Sequence, residues 1–288
     1  MKIAFTGAQM DRADLLRQDP AALAAAMASP FSRVLRLHGL DPEVTPEGTL
    51  GWGNMAEVDP QADLIFIGLH EGKHHFVAMP PKGVPVDARS RTVWRMLPML
   101  RPEEAALYGG ARSLVDWHAR HGFCAVCGGP THMFKGGWGR QCGACHAEHF
   151  PRVDPVVIML AVHEDKVLLA RQPAYPPGRY SALAGFVEPG ESLEEAVARE
   201  FMEEAGVEAY DIDYVASQPW PFPSSLMFGC MAKVREPALT VDYTELEDAM
   251  WVDRKGVEAA MRGDEDAPFV APPPFAIAYN LLEYWLEM

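Results

Sequence analysis

The chain is short of positive charge, of cysteine and of long apolar runs, and each shortage excludes something. Twenty-five Lys and Arg face forty Asp and Glu, a formal charge of -15 over 288 residues. That is the wrong sign for a protein whose main task is to grip nucleic acid without regard to sequence. A polyanionic substrate meets the same repulsion, so binding phosphate here requires a metal ion or a local set of cationic donors. No apolar run approaches the length needed to cross a bilayer, and the opening MKIAFTGAQMDRADLL reaches acids too early for a secretory signal. A cytoplasmic chain with no membrane partner is the expectation. Five cysteines without an export signal point to thiols rather than disulfides. With 49% apolar and 23% charged residues and a mean hydropathy of -0.08, disorder is not expected. The length allows two or three domains and at least one full core.

Four of the cysteines are patterned. Cys124 and Cys127, then Cys142 and Cys145, form two CxxC pairs fourteen residues apart, amid Gly128, Gly129, Gly136, Gly137 and Gly143. This spacing suits a closed, four-thiolate structural Zn²⁺ ribbon, with His132, His146 and His149 as spare donors expected to stay unligated. Cys230 stands alone in an apolar stretch and reads as a small core residue.

Periodicity organises the rest. Residues 64–70 and 75–79 read as strands, 11–27 and 103–121 as helical, and 80–85 as a Pro-Gly loop. Beyond the ribbon, strands are expected near 156–163 and 166–172 around a tight acidic turn, with further strands at LAGFV, DYVASQ and LMFGCMAKV. A helix capped near Ser192 covers ESLEEAVAREFMEEAG, and PPPFAIAYNLLEYWLEM predicts a closing helix introduced by prolines.

In that capped helix Glu200, Glu203 and Glu204 stand at i, i+3 and i+4 and share one face. Their mutual repulsion costs a few tenths of a kcal/mol per pair, roughly, and a divalent cation relieves it, the hard oxygen donors selecting Mg²⁺ or Mn²⁺. A bare acidic face reads equally as solvated surface. The surrounding residues add more. Gly185, Glu191, Arg199, Glu200, Phe201, Glu203, Glu204, Gly206 and Val207 occupy every fixed position of the Nudix box, and through them the chain resembles the Nudix hydrolases. Arg199 is placed to pair with Glu191 and fix the ligand loop, while Gly185 and Gly190 let backbone approach metal or phosphate. The resemblance implies Glu200, Glu203 and Glu204 as catalytic metal ligands, Glu204 being the essential carboxylate, and the carbonyl of Ala184 as a further ligand.

The box leaves the substrate open. Ser217 to Ser225, SQPWPFPSS, is similar to the array that marks NADH pyrophosphatases within the Nudix superfamily. Its prolines stiffen the segment, so Trp220 and Phe222 can stack on flat rings at little ordering cost. The alternative is a proline-rich loop that packs its aromatics inward. The resemblance makes Gln218, Pro219, Trp220, Pro221, Phe222, Pro223, Ser224, Ser225 and Ala278 substrate-binding. Phe186 offers a second stacking surface or, equally, a buried strand residue. TVDYTELEDAMWV resembles the segment that supplies a late acidic ligand, Glu245 aligning best and Glu247 being the alternative. In relatives the ribbon region carries dimer contacts and part of the pocket. Here Phe150 stands where a Tyr is common and Gly137 where some relatives carry a Glu. Arg95, with Arg89 and Arg91 in competition, lies near a substrate-binding arginine of relatives, whereas His74 and His75 read as ordinary strand or surface residues.

The expected architecture is α+β: an N-terminal Nudix-like α+β domain over 1–120, a small zinc ribbon over 121–150, and a C-terminal α/β/α sandwich with a mixed sheet over 151–288. The expected activity is Mg²⁺- or Mn²⁺-dependent hydrolysis of NADH or NAD⁺ to nicotinamide mononucleotide and AMP, extending to NAD caps on RNA 5′ ends, by a homodimer. The competing class is a zinc-ribbon nucleic-acid-binding regulator with a non-catalytic Nudix sensor. Against it, residues 121–152 hold Lys135, Arg140 and Arg152 against Glu148, a thin positive surplus.

Overall fold

A computed structural model describes residues 1–81, 86 and 92–288. Most of the loop expected at 80–85, together with Arg89 and Arg91, lies outside the described residues. The chain forms two compact units. One comprises Phe5–Val153 and Trp220–Ser224, the other Met1–Ala4, Asp154–Pro219 and Ser225–Met288.

In the first, strands β1 (Arg33–Leu35), β2 (Trp52–Asn54), β3 (Leu64–His70) and β4 (Lys73–Ala78) form a sheet ordered β2-β1-β4-β3, with β1 parallel to β4. The helical stretch expected over 11–27 is two helices, Asp14–Arg17 and α1 (Pro20–Ala28). The break is local chemistry. Asp19 accepts from the amides of Ala21 and Ala22 as the cap, and Pro20, which has no N–H to give, takes the first helical position. Helix α2 (Pro102–Arg120) follows the expected stretch and buries Tyr108, Ala111, Arg112 and Val115 on one face. Beyond it, β5 (Thr131–Phe134), β6 (Gly139–Cys142) and β7 (Glu148–His149) make a three-stranded antiparallel ribbon.

Three hydrogen bonds tie the ribbon to the rest of this unit. His118 of α2 donates from Nε2 to the Gly137 carbonyl at 2.7 Å and accepts at Nδ1 from Arg140 at 3.0 Å. Trp138 donates to the Phe66 carbonyl at 2.7 Å. Gly137 has φ +88°, and a Cβ there would lie 2.9–3.1 Å from Ile65. A glutamate, which some relatives have here, does not fit this backbone.

The other unit is built on β8 (Asp154–His163), β9 (Lys166–Arg171), β10 (Leu183–Phe186), β11 (Ala209–Trp220), β12 (Ser225–Val234) and β13 (Asp248–Asp253). The sheet runs β11-β12-β8-β9-β13, with β10 also paired to β8. It is mixed, because β8 is parallel to β12 and antiparallel to β9 and β10. Alternation along β8 sends Val157, Met159 and Ala161 to one core and Ile158 and Leu160 to the other. Helix α3 (Leu193–Ala205) covers the first face through Ala196, Val197 and Phe201. Helices α4 (Arg254–Arg262) and α5 (Ile277–Glu287) cover the second through Val257, Ala260, Leu281 and Trp285. This is the expected α/β/α sandwich, with Cys230 in its core. Among the described residues no helix is long and apolar enough to cross a membrane.

Candidate functional site

Helix α3 begins at Ser192, whose hydroxyl accepts from the Glu195 amide while the Glu195 carboxylate accepts from the Ser192 amide. It stops at Gly206, φ +67°. Phe201 is fully buried on the core side, and Glu200 and Glu204 lie beside it on the helix. Glu200 and Glu204 are 8% and 4% exposed, and Glu203 is in solvent. One Glu204 oxygen, Oε2, is buried without a hydrogen-bond partner. Burial first, then the charges of Glu200, Glu245, Glu203 and Asp242, push the Glu204 carboxyl up to about 8. Burial also raises Glu200, with Arg199 opposing it.

Arg199 does more than the expected pairing. It meets Glu191 with two nitrogens, at 2.6 and 3.0 Å, and also donates to Glu200 at 2.7 Å, Glu203 at 2.9 Å and the Phe186 carbonyl at 2.9 Å. A single guanidinium thus binds loop, strand and helix together.

Gly185 and Gly190 serve different ends. Gly190 has φ +100° with open space around it, so its backbone conformation is what calls for glycine. At Gly185 a Cβ would fall 1.9 Å from the Glu200 carboxylate, so there glycine makes room for an acid. Glu204 lines a small cavity with Tyr175, Gln172, Leu183, Ala184 and Leu246. Amides of Thr240 and Asp242 donate to the carbonyls of Ala205 and Glu204, stapling the following segment to the helix end. Glu245 on that segment is exposed and near enough to act on both buried acids. Glu247 instead pairs with Arg171 at 2.9 Å.

An orphan buried oxygen, a surplus of carboxylates and a glycine that makes space for one of them suit a hard divalent cation. Among the described residues, however, only the cysteines already converge. The four thiols have their sulfurs within 4.8 Å of one another, with Cys124 to Cys145 at 3.6 Å and Cys127 to Cys142 at 3.5 Å. Tetrahedral zinc with bonds of ~2.3 Å requires sulfurs spaced in this way. Against burial, amides of Cys127 and Val126 and the His149 side chain draw the Cys124 thiol down to about 6. His149 Nε2 lies 3.2 Å from that sulfur, so it supports a ligand rather than replacing one.

The residues of the proline-rich array part company. Gln218 is fully buried, donating to the carbonyls of Ala4 and Phe275 and accepting from the amide of Ile277. Its amide group is thereby spent on seating the start of α5. Ala278 is buried in the core at 1% exposed, and Ser225 opens β12 opposite Asp154. Pro219 is exposed, whereas Pro221 and Ser224 are buried. Trp220 and Phe222, half-buried, share an aromatic cluster with Phe5 and Trp94. Phe186 is 61% exposed, so the buried-strand reading does not apply to it. Arg95 is exposed in a short helix, Phe150 is exposed on the ribbon, and His74 and His75 are strand residues of β4. Sequence reasoning missed Arg112, Ser113 and Trp94, which surround the array. The one available signal was an arginine at a core-facing position of α2, in step with Tyr108 and Val115.

A NUDIX domain family model matches residues 151–271, and a model described as the NADH pyrophosphatase zinc ribbon domain matches residues 119–150. The chain is 38% identical over 266 residues to NAD-capped RNA hydrolase NUDT12 of Homo sapiens, covering 89% of this chain and 54% of that protein. It is 41% identical over 188 residues to NAD-capped RNA hydrolase NudC of Stutzerimonas stutzeri, covering 63% and 68%. With NAD-capped RNA hydrolase NudC of Mycobacterium bovis (strain BCG / Pasteur 1173P2) it shares 35% over 291 residues, covering 96% and 92%. The chain spans about half the length of the mammalian and plant relatives it matches. On the extent of the mycobacterial match and the two domain matches together, this chain belongs to the Nudix hydrolase family, among members that carry the NADH pyrophosphatase zinc ribbon.

Proposed function

We propose that this chain hydrolyses the diphosphate of NADH and NAD⁺ to nicotinamide mononucleotide and AMP, and cuts the same bond in NAD-capped RNA. The observation that carries the reading is the buried Glu204 carboxylate, one oxygen unpartnered, beside the acids of the same helix. A structural role does not account for such an arrangement, since a buried carboxyl group with an unpartnered oxygen is costly and an apolar residue would pack there without penalty. Glu200, Glu203, Glu204 and Glu245, with the Ala184 carbonyl, would hold Mg²⁺ or Mn²⁺. When bound, such an ion polarises diphosphate oxygens and offsets the charge that grows on them.

The chain's own residues supply the rest. Arg199 keeps Glu200 and Glu203 in place through the loop it clamps. Glu204, the carboxylate with a free buried oxygen, orients the attacking water and takes up its proton as the water oxygen bonds to one phosphorus and the bridging P–O bond breaks. The exposed Phe186 ring offers flat apolar surface to a base of the dinucleotide. The likeness of 217–225 to the array of NADH pyrophosphatases gives Trp220 and Phe222 a stacking role as well. The names of the relatives, NAD-capped RNA hydrolases, support the same substrate class.

The test is side-by-side kinetics on NADH, NAD⁺, ADP-ribose and NAD-capped RNA, in Mg²⁺ and in Mn²⁺, for the wild type and for Glu204→Gln. AMP release from NADH that depends on the metal and on Glu204 is the expected result. Tight RNA binding with no AMP from NADH in either metal would sink the reading.

A further inference from the structure

Arg112 is fully buried in the middle of α2, and its Nη1 donates to the Pro221 carbonyl at 2.6 Å. Its guanidinium carbon lies 4.7 Å from the centre of the Phe222 ring. One turn earlier, the Tyr108 hydroxyl bonds Arg112 and donates to the Leu40 carbonyl at 2.7 Å. The adjacent Ser113 donates to the Pro223 carbonyl at 3.1 Å. Gly109 leaves the helix surface bare where Pro221 rests, since a Cβ there would lie 3.3 Å from the proline ring. Around this seat Trp94 lies tilted against both rings, its centre 4.5 Å from Phe222 and 5.7 Å from Trp220, while Phe5 meets both edge-on at 6.0 Å.

Proline has no N–H, so a Pro-Phe-Pro loop can be held only through its carbonyls and its rings. Helix α2 holds both carbonyls. Ordering a buried arginine to do so is expensive unless its hydrogen bonds are made, which demands an accurately placed partner. A packing role alone would be met by an apolar side chain of similar volume. The guanidinium does two things at once, fixing the loop backbone and lying over the ring whose plane it sets.

We propose that Arg112, seconded by Ser113, is a positioning residue for substrate selection: by clamping the carbonyls of Pro221 and Pro223 it fixes the planes of Trp220 and Phe222, the flat surfaces that grip the nicotinamide-bearing part of a dinucleotide. The inference rests on the reading of the array given under the proposed function. It assigns the N-terminal part of the chain a share in specificity.

The experiment measures NADH hydrolysis by the full-length, zinc-loaded protein in Mn²⁺ for Arg112→Lys, Ser113→Ala, Trp220→Ala and the double variant Arg112→Lys/Trp220→Ala. Circular dichroism and zinc content check that each is folded. The lysine keeps the charge and loses the fork. The expected result for Arg112→Lys is a KM for NADH raised about tenfold with kcat changed far less, the size of a lost charge-assisted hydrogen bond. Ser113→Ala should raise KM by about two- to threefold, as one neutral hydrogen bond does. Because Arg112 acts through the array, its effect should largely vanish once Trp220 is gone, so the double variant should resemble Trp220→Ala. If Trp220→Ala raises KM and folded Arg112→Lys and Ser113→Ala do not, or if the effects simply multiply, the positioning role is wrong and the array reading stands. Should Arg112→Lys fail to fold, Ser113→Ala decides, and an unchanged KM overturns the proposal. If Trp220→Ala leaves KM unchanged, the array reading fails and takes this inference with it.

Discussion

Replacing Gly185 by alanine should separate metal binding from folding more cleanly than removing an acid. Gly185 is not among the residues with positive φ, so alanine meets no backbone strain there and restricts the unfolded chain slightly. The conflict is purely spatial. The new Cβ would lie 1.9 Å from Cδ and Oε1 of Glu200 and 2.2 Å from Oε2, distances that real atoms do not tolerate. Backbone pairing of β10 with β8, Val157 opposite Gly185, holds the strand in place. The Glu200 side chain must therefore move, giving up its 2.7 Å bond to Arg199. A hydrogen bond to a charged group is worth about 1.5–3 kcal/mol, but Arg199 keeps its two bonds to Glu191, so a net loss of ~1–2 kcal/mol is expected. For a chain of this size that lowers the melting temperature by about 2–8 °C. Displacing one carboxylate should weaken Mn²⁺ binding by about 10–100-fold, and turnover at limiting metal should fall with it. Isothermal titration with Mn²⁺ reads the affinity, NADH hydrolysis across a Mn²⁺ series reads the turnover, and an unchanged zinc content confirms that the ribbon is intact. A folded Gly185→Ala protein with wild-type Mn²⁺ affinity would show that Glu200 does not hold the ion where the box implies.

Glu204→Gln should cut turnover by about 10²-fold or more while leaving the melting temperature equal or higher, since it replaces an unpaired buried carboxylate with a neutral isostere; near-wild-type turnover would refute the assignment. Metal analysis should find about one zinc per chain, and a chelator strong enough to strip it should abolish the ribbon's dispersed NMR signals; a stable, cysteine-intact, zinc-free protein would remove the ribbon claim. His118 should make stability acid-sensitive, because burial, reinforced by the Arg140 charge, holds its pKa down at about 4. Below the ordinary value of 6.5 the unfolded chain takes up a proton that the folded one refuses, so stability falls as pH drops from 6.5 towards 4. Between pH 7 and 5 the wild type should lose ~2 kcal/mol more than His118→Gln in urea titrations; parallel losses would mean that the imidazole charges freely in the fold.

The C-terminal fold is easy to read because local signals agree there. Ser192 and Glu195 cap, Gly206 stops, and apolar residues of α3 recur at helical spacing, so the helix is specified before any tertiary contact is considered. Helices α2 and α5 have no side-chain cap, but proline opens α2 and prolines precede α5, and apolar residues recur along both. What was illegible depends on partners distant in sequence. The helix Arg254–Arg262 has a cap at Asp253 and a stop at Gly263, but over nine residues only Val257 and Ala260 are buried, and which core they meet depends on elements remote in the chain. The short ribbon strands are set by cysteine geometry and glycine turns rather than by alternation. The break at Asp19 and Pro20 was visible in the residues, but the alanine-rich surroundings read as one uninterrupted helix.

In the site, spacing located the acids but could not assign the glycines, since φ at Gly190 and free space at Gly185 are indistinguishable in a one-letter string. Nor could it show that Gln218 is consumed by α5, since its partners Ala4, Phe275 and Ile277 are remote in the chain. The choice between Glu245 and Glu247 turns on the same kind of fact. Two residues apart on one acidic segment, they are equivalent to any pattern. Strand β9 lies antiparallel to β13 with Arg171 opposite Asp248, which brings the guanidinium to Glu247. There the arginine neutralises a carboxylate that would otherwise compete for the ion. Among the described residues Glu245 has no such counter-charge, and it adds its own to the field that raises Glu204. A cation gains most where negative charge is least compensated, which favours Glu245 as the fourth acid. Glu245→Gln should therefore weaken Mn²⁺ binding and Glu247→Gln should not; the reverse order would mean that the Arg171 pair opens when the ion binds.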